Sequence, residues 1–425
     1  MPSQSPKLYY GWIIVGLGFI TLTVAFGVWY SFSVFLLAII QDFGWSRAAT
    51  SSIFSMFMMG HAVMGILTGH LQDKFGPRIV IPFGAILLAV ALALTSQANA
   101  LWHFYISYGI FASIGVSLIG FTSHSAFLPN WFEQNRGLAV GITMSGIGFG
   151  MLLFVPVLER IITFYGWRVA ELCAAGTVLF LIAPLNLILA RKSPSDLGLL
   201  PDGRIEGEKV FKAHQRSVQI LDPAWADSNW TLVKAIATRR FWFVGLAFFF
   251  LSFAYQSTLL HSVSAMVDGG LNRNVAALFF GIAGIAGSGG KILFGYLSDR
   301  FGREKINTVG GVIAVAGIVC LVFTGSSEIL LPTLFAILFG LGYGAAAPLL
   351  PSISADIFEG RSFGLIFAMI AIGGGLGGAL GPFMAGLLRD LTGSYTTPFL
   401  MAIVSLSISC SMIWLARPGK IRRVA

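Results

Sequence analysis

The chain has 425 residues, 56% of them hydrophobic and 11% charged, with a formal net charge of +9. Soluble domains carry roughly 25% charged residues, so these side chains cannot coat a particle in water. A water-soluble fold is excluded, and lipid is the solvent for most of this surface.

A helix crosses the hydrocarbon core in about 20 apolar residues. Apolar runs between charged or turn-rich breaks predict six such helices over 10–40, 48–72, 79–97, 102–130, 137–159 and 169–190. The first run is too long for the core of a cleaved signal peptide, and no small-residue cleavage pattern follows it. It is read as helix 1, retained. A polar, proline-containing stretch of mixed charge follows over 191–238, with a short surface helix expected around 230–237. Six further runs cover 240–267, 274–298, 306–326, 329–355, 362–388 and 395–416. The expected fold is an all-α integral membrane protein of twelve transmembrane helices. It divides into a six-helix half over 1–190, a cytoplasmic loop over 191–238 and a second six-helix half over 239–425.

Charge placement sets the expected topology. With the amino terminus in the cytoplasm, 21 of the 27 Lys and Arg residues fall on cytoplasmic segments, as the positive-inside rule requires. Arg47, Arg160, Arg168, Arg273 and Arg389 fall outside, and Lys291 lies within helix 8. The chain is thus expected to be multi-pass in a plasma or inner membrane with both termini cytoplasmic. Its basic charge is a topology signal, and no nucleic-acid partner is expected. Seven of the ten tryptophans sit at predicted helix ends, where the amphipathic indole prefers the interface. Cys173, Cys320 and Cys410 lie in apolar runs without disulfide or metal-ligand spacing. No metal or cofactor is expected, and no nucleophile, base and orienting acid converge as an enzyme would need.

An internal repeat organises the helices. GHLQDKFG from Gly69 recurs as GYLSDRFG from Gly295, an offset of 226 that also carries Glu133 onto Glu359 and Pro156 onto Pro382. Two related six-helix halves imply a pseudo-symmetric bundle with a cavity at their interface near mid-membrane.

At GHLQDKFGPR, 69–78, and GYLSDRFGREK, 295–305, the sequence resembles the major facilitator superfamily along essentially its whole length. The resemblance implies secondary transport by alternating access. It also implies that Gly69, Asp73, Gly76, Arg78, Gly295, Asp299, Arg300, Gly302 and Arg303 steady the inward and outward states. Asp73 and Asp299 would face helix amino termini, where an anion gains about 0.3–1 kcal/mol; the plainer reading is a polar turn with a capping Asp. FGLGYG at 339–344, RSFG at 361–364 and GGGLGGALGP at 373–382 resemble the branch of monocarboxylate transporters and oxalate–formate exchangers. SPSDLGLLPDG at 193–203 resembles the run after helix 6 in bacterial members of that branch.

The chain departs from the branch in several places. It reads YYGW where animal monocarboxylate transporters have an acid before helix 1, and helix 1 lacks their lysine. Gly287 stands where their helix 8 has an Asp four residues before an Arg, here Lys291. No charge lies within 362–388, where the exchanger has a second basic residue.

A charge inside the membrane costs at least about 2.5–3.5 kcal/mol, which makes Lys291 informative. All 18 acids fit in loops or within a turn or two of helix ends, so an anionic substrate is the expected counter-ion. Alternatively Lys291 snorkels toward the cytoplasm or stands neutral in the empty site. One cation favours a monocarboxylate, because a second buried carboxylate would lack a partner. Trp29 and Tyr30 map by the repeat onto Tyr255 and Gln256, and Tyr343 is central in helix 10; these five are the other substrate-binding candidates. His61, His124 and His261 are candidates to carry coupling protons, or are packing residues.

The expected function is transport of a small organic monocarboxylate such as lactate or pyruvate. Protons would be the coupling partner, and the protein would work as a monomer in the bilayer. Oxalate/formate-type anion exchange and a non-transporting receptor are the alternatives.

Overall fold

The computed structural model describes residues 9–203, 218–226, 228–325, 329–360 and 362–424. Arg361 of the RSFG run and part of the 191–238 loop lie outside these. Twelve helices long and apolar enough to cross a membrane follow one another. They are α1 Tyr10–Phe43, α2 Arg47–Phe75, α3 Pro77–Ser96, α4 Leu101–Asn130, α5 Arg136–Tyr165 and α6 Trp167–Leu189, then α7 Arg239–Asp268, α8 Arg273–Phe301, α9 Arg303–Val322, α10 Leu330–Phe358, α11 Phe363–Thr392 and α12 Thr396–Ala416. The two halves are α1–α6 and α7–α12. Every expected run became a helix, with ends displaced by a few residues.

Local chemistry fixes the breaks. The α2–α3 and α8–α9 connections each turn on one glycine, Gly76 at φ +74° and Gly302 at φ +96°. Only glycine adopts such angles freely, and these two are repeat mates. Gly44 ends α1 in the left-handed region with its N–H on the Ile40 carbonyl, and Ser46 then caps α2 by accepting from the Ala49 N–H. Strict alternation of twelve spans puts the chain ends and the long linker at one end of the bundle, called the near end here; the opposite end is the far end.

The halves meet where α5 packs on α8 and α2 on α11. Backbones approach closely there. A Cβ on Gly148 of α5 would overlap the Gly284 carbonyl of α8, and one on Gly375 of α11 would come within 2.6 Å of the Ala62 side chain. Small residues at such crossings replace a hydrophobic driving force that lipid does not supply. Outward faces carry exposed Phe83, Phe180 and Val312, as a lipid-facing surface should. α4 contains wide π-type turns over Tyr105–Ala112 and breaks at Gly120, and α6 has a similar stretch over Val178–Ile182.

The linker is more than a spacer. Asp196 receives hydrogen bonds from the Ser193 hydroxyl and from the Lys192 and Ser193 N–H groups. Asp202, at φ +58°, accepts from the backbone N–H groups of Glu133 and Gln134 at 2.8 and 2.9 Å, just before α5. Further on, the Trp225 indole donates to the Ile357 carbonyl at 2.8 Å, and a short helix spans Leu232–Ile236. Val218–Ile220 pairs antiparallel with Arg422–Val424, the only strands among the described residues and a small exception to an all-α chain.

Candidate functional site

A cavity of about 770 Å³ lies between the halves, walled by α1, α4, α5, α7, α8, α10 and α11. It runs from mid-helix residues Tyr30 and Tyr255 to Gly137 and Pro351 at the near end. Lys291 lines it. The backbone beneath this lysine is held by a glycine crossing. A Cβ on Gly344 of α10 would come within 2.8 Å of the Lys291 nitrogen, and one on Gly287 within 3.3 Å of the Gly340 carbonyl. Among the described residues, Lys291 makes no hydrogen bond and no ion pair.

Tyr30, Tyr255, Gln256 and Tyr343 line the same cavity. The Tyr30 and Tyr343 hydroxyls are 2.7 Å apart, one hydrogen bond joining α1 to α10 and so half to half. Tyr255 donates to the Gly342 carbonyl at 3.1 Å and sets its ring edge-on to Tyr343, centroids 5.2 Å apart. The Gln256 Oε1 is buried without a partner.

Trp29 does not line this cavity; with Tyr30 and Gln256 it lines a small neighbouring pocket toward Ser33 and Phe54. Trp29 packs edge-on against Phe57 and His61, centroids 5.0 and 4.7 Å away, with its indole N–H unpartnered. Sequence reasoning passed over Ser145, Ser252 and Ser288, which also line the cavity. The signal was helical spacing, since Ser252 precedes Gln256 by four residues and Ser288 precedes Lys291 by three.

None of the three candidate histidines lines this cavity. His61 keeps its Nδ1 buried and unpartnered. His124 bonds through Nδ1 to the Gly120 carbonyl at 2.9 Å, which leaves Nε2 as a buried acceptor without a donor. His261 is bonded at both nitrogens: Nε2 to the Pro382 carbonyl at 2.9 Å and the Ser51 hydroxyl at 3.2 Å, Nδ1 to the Tyr395 hydroxyl at 3.2 Å. The Pro382 carbonyl can only accept, so Nε2 carries the ring proton and Nδ1 accepts from the Tyr395 hydroxyl. His261 belongs to the closure of the far end.

That closure is ionic. Asp268 of α7 takes Arg47 of α2 at 2.8 Å and Arg389 of α11 at 2.7 Å. Asp390 accepts from the Ala48 and Arg47 N–H groups at 2.8 and 3.1 Å, an anion at the amino terminus of α2. Arg273 of α8 binds Gln41 of α1 and Glu159 of α5, both at 2.9 Å. The expected run ended at 159, and α5 runs on to Tyr165; Glu159 is still within two turns of the helix end, and its carboxylate is fully buried. A second cavity of about 570 Å³ lies at this end beside Gln41 and Asp42, but its cations Arg168 and Arg273 are each held by an acid. Lys291 is not, which makes the central cavity the candidate site.

The repeated motif differs between its copies. Asp299 and Asp356 both hold Arg303, at 2.6 and 3.3 Å, and Arg303 also donates to the Ser298 hydroxyl at 2.7 Å. At the repeat position of Arg303 stands Pro77, and the Asp73 carboxylate is exposed while its carbonyl accepts from Lys192 at 2.7 Å. Arg78 donates to the Leu187 carbonyl at 2.8 Å, closing the end of α6. Arg300 stacks over the Tyr296 ring. Gly295 lies against Pro348, and Gly69 has open space beside it.

Comparison with known proteins agrees with this architecture. The model of the Major Facilitator Superfamily matches residues 17–337. Monocarboxylate transporter 13 of Rattus norvegicus is 28% identical over 412 residues, covering 94% of this chain and 87% of that protein. Monocarboxylate transporter 12 of Xenopus laevis is 26% identical over 419 residues, covering 95% and 88%. Among solved structures, a bacterial homolog to the human lysosomal transporter Spinster, in an inward-facing and occupied conformation, superposes with a TM-score of 0.70 at 14% identity, covering 96% of this chain and 97% of that one. At that identity the likeness speaks for the fold.

Proposed function

The chain belongs to the Major Facilitator Superfamily, and on that premise we propose that it carries an organic monocarboxylate across a plasma or inner membrane by alternating access. Lys291 is the observation that carries the reading. It is a cation on the wall of the inter-half cavity with no acid of the described chain beside it, and its desolvation is offset when a carboxylate arrives. The substrate sits between the halves, its carboxylate on Lys291 and its body against Tyr30, Tyr255 and Tyr343. The names of the similar transporters support the same class.

Protons are the proposed companion. Moving one net charge costs about 2.3 kcal/mol per 100 mV, and a proton travelling with a monoanion removes that term. The near end is the cytoplasmic end in this reading, on the strength of its Lys and Arg excess, and the protein works as a monomer. The two copies of the repeated motif act at that end, the Asp73 copy free to change partners while the Asp299 copy stays clamped.

A thermal-shift panel of monocarboxylates on purified wild type and Lys291→Gln tests the anchor. At a hundred times Kd a ligand stabilises its target by about 2.7 kcal/mol, so wild type melts later with at least one acid and the variant does not respond. No response of wild type to any monocarboxylate would remove the reading.

A further inference from the structure

We propose that the cavity takes a monocarboxylate with a bulky, mostly apolar body and one hydrogen-bonding group remote from its carboxylate, in place of a two- or three-carbon acid. The inference rests on the monocarboxylate reading above and narrows it. The first support is size. About 770 Å³, its vestibule toward the near end included, falls among pockets that hold drug-sized ligands, roughly 300–1,000 Å³. At about 30 Å³ per water, it is room for roughly 25 waters, of which lactate replaces only a few.

The second is the wall. Phe26, Met144, Ile147, Phe248, Leu251 and Ile292 face the space beside Lys291, and an apolar wall of that extent rewards an apolar body. The third is the state of the polar groups. The Tyr30 and Tyr343 hydroxyls bond each other, Tyr255 is spent on the Gly342 carbonyl and Ser288 on the Ser145 carbonyl. Three hydroxyl protons are thus engaged, and of the Tyr30–Tyr343 pair the accepting hydroxyl alone keeps its proton for a ligand. The Gln256 side chain lines the cavity while its amide oxygen is buried without a partner, and turning the amide toward the cavity presents either a donor or an acceptor.

Depth then orders the polar groups. At 1.5 Å of rise per residue, Gln256 lies about 25 Å from the near end of α7, which starts at Arg239, and Lys291 about 15 Å from the near end of α8, which stops at Phe301. The Gln256 backbone is thus roughly 10 Å deeper than that of Lys291, so a carboxylate on the lysine leaves the remote end of the ligand toward the amide.

Apparent affinities of wild type for acetate, lactate, hexanoate, phenylacetate and 4-hydroxyphenylacetate test this. Each buried methylene is expected to tighten binding about fourfold, so hexanoate and both aryl acids bind at least a hundredfold tighter than acetate. Gln256→Leu lowers the 4-hydroxyphenylacetate to phenylacetate affinity ratio roughly tenfold, and Met144→Trp lowers the phenylacetate to acetate ratio. If lactate or acetate binds as tightly as the larger acids, and Lys291→Gln abolishes it, the size inference is overturned and the monocarboxylate reading stands. If no acid binds, both fall.

Discussion

Two substitutions at Lys291 separate its charge from its hydrogen-bonding capacity. Lys291→Arg keeps the cation and should keep measurable affinity for the acid, while Lys291→Gln should lose at least tenfold. Equal affinities in the two variants, read by titration calorimetry, would place the carboxylate elsewhere. The Tyr30–Tyr343 hydrogen bond is a second residue-scale handle. Hydrogen bonds between membrane helices average about 0.6 kcal/mol, so a Tyr30→Phe and Tyr343→Phe cycle should couple by that order in unfolding titrations, and additivity would deny the contact. Which residues face the cavity was only partly legible. α1 is apolar on most of its circumference and buried nearly throughout, so no polar stripe told Tyr30 from Trp29. Lys291 was legible because a charge amid apolar residues stands out in any register. The hydroxyl pairing of Tyr30 with Tyr343 was not, since it joins residues 313 positions apart.

At the scale of the element, α5 shows where sequence reading stops. Glu159 and Arg160 looked like the exit from the membrane, and the helix continues to Tyr165, with Arg273 arriving from α8 to hold the buried carboxylate. No local pattern announces a partner from another helix. Breaking a buried pair by removing one charge costs about 3–5 kcal/mol, so Glu159→Gln and Arg273→Gln should each lower unfolding stability by that order and the double variant by less than their sum. Strict additivity would contradict the pairing. The far-end closure around Asp268 gives a functional counterpart. With Cys173, Cys320 and Cys410 replaced and Ser252→Cys as a cavity reporter, Asp268→Asn should speed labelling by an impermeant maleimide from the far side severalfold. An unchanged rate would show that these ion pairs do not keep that end shut. Asp202 is the linker's part: Asp202→Ala removes a backbone cap before α5, worth about 0.5–2 kcal/mol.

Over the whole molecule, the fold was legible because the bilayer leaves few choices. Twelve apolar runs long enough to cross a bilayer, one repeat offset and a one-sided excess of Lys and Arg are all readable along the chain, and the helices follow them. The docked linker was not readable, because its contacts, from Asp202 to the start of α5 and from Trp225 to the end of α10, are made between distant segments. Nor was the closed far end with its cavity reaching the near end, a state set by inter-half ion pairs that composition does not reveal. Such an arrangement performs work only if the anion proposed at Lys291 crosses the membrane. Uptake of a radiolabelled monocarboxylate into proteoliposomes, with and without an inward proton gradient, measures that crossing for wild type and Lys291→Gln side by side. The account predicts gradient-stimulated accumulation by wild type and a flat trace for the variant; accumulation by Lys291→Gln at the wild-type rate would contradict it.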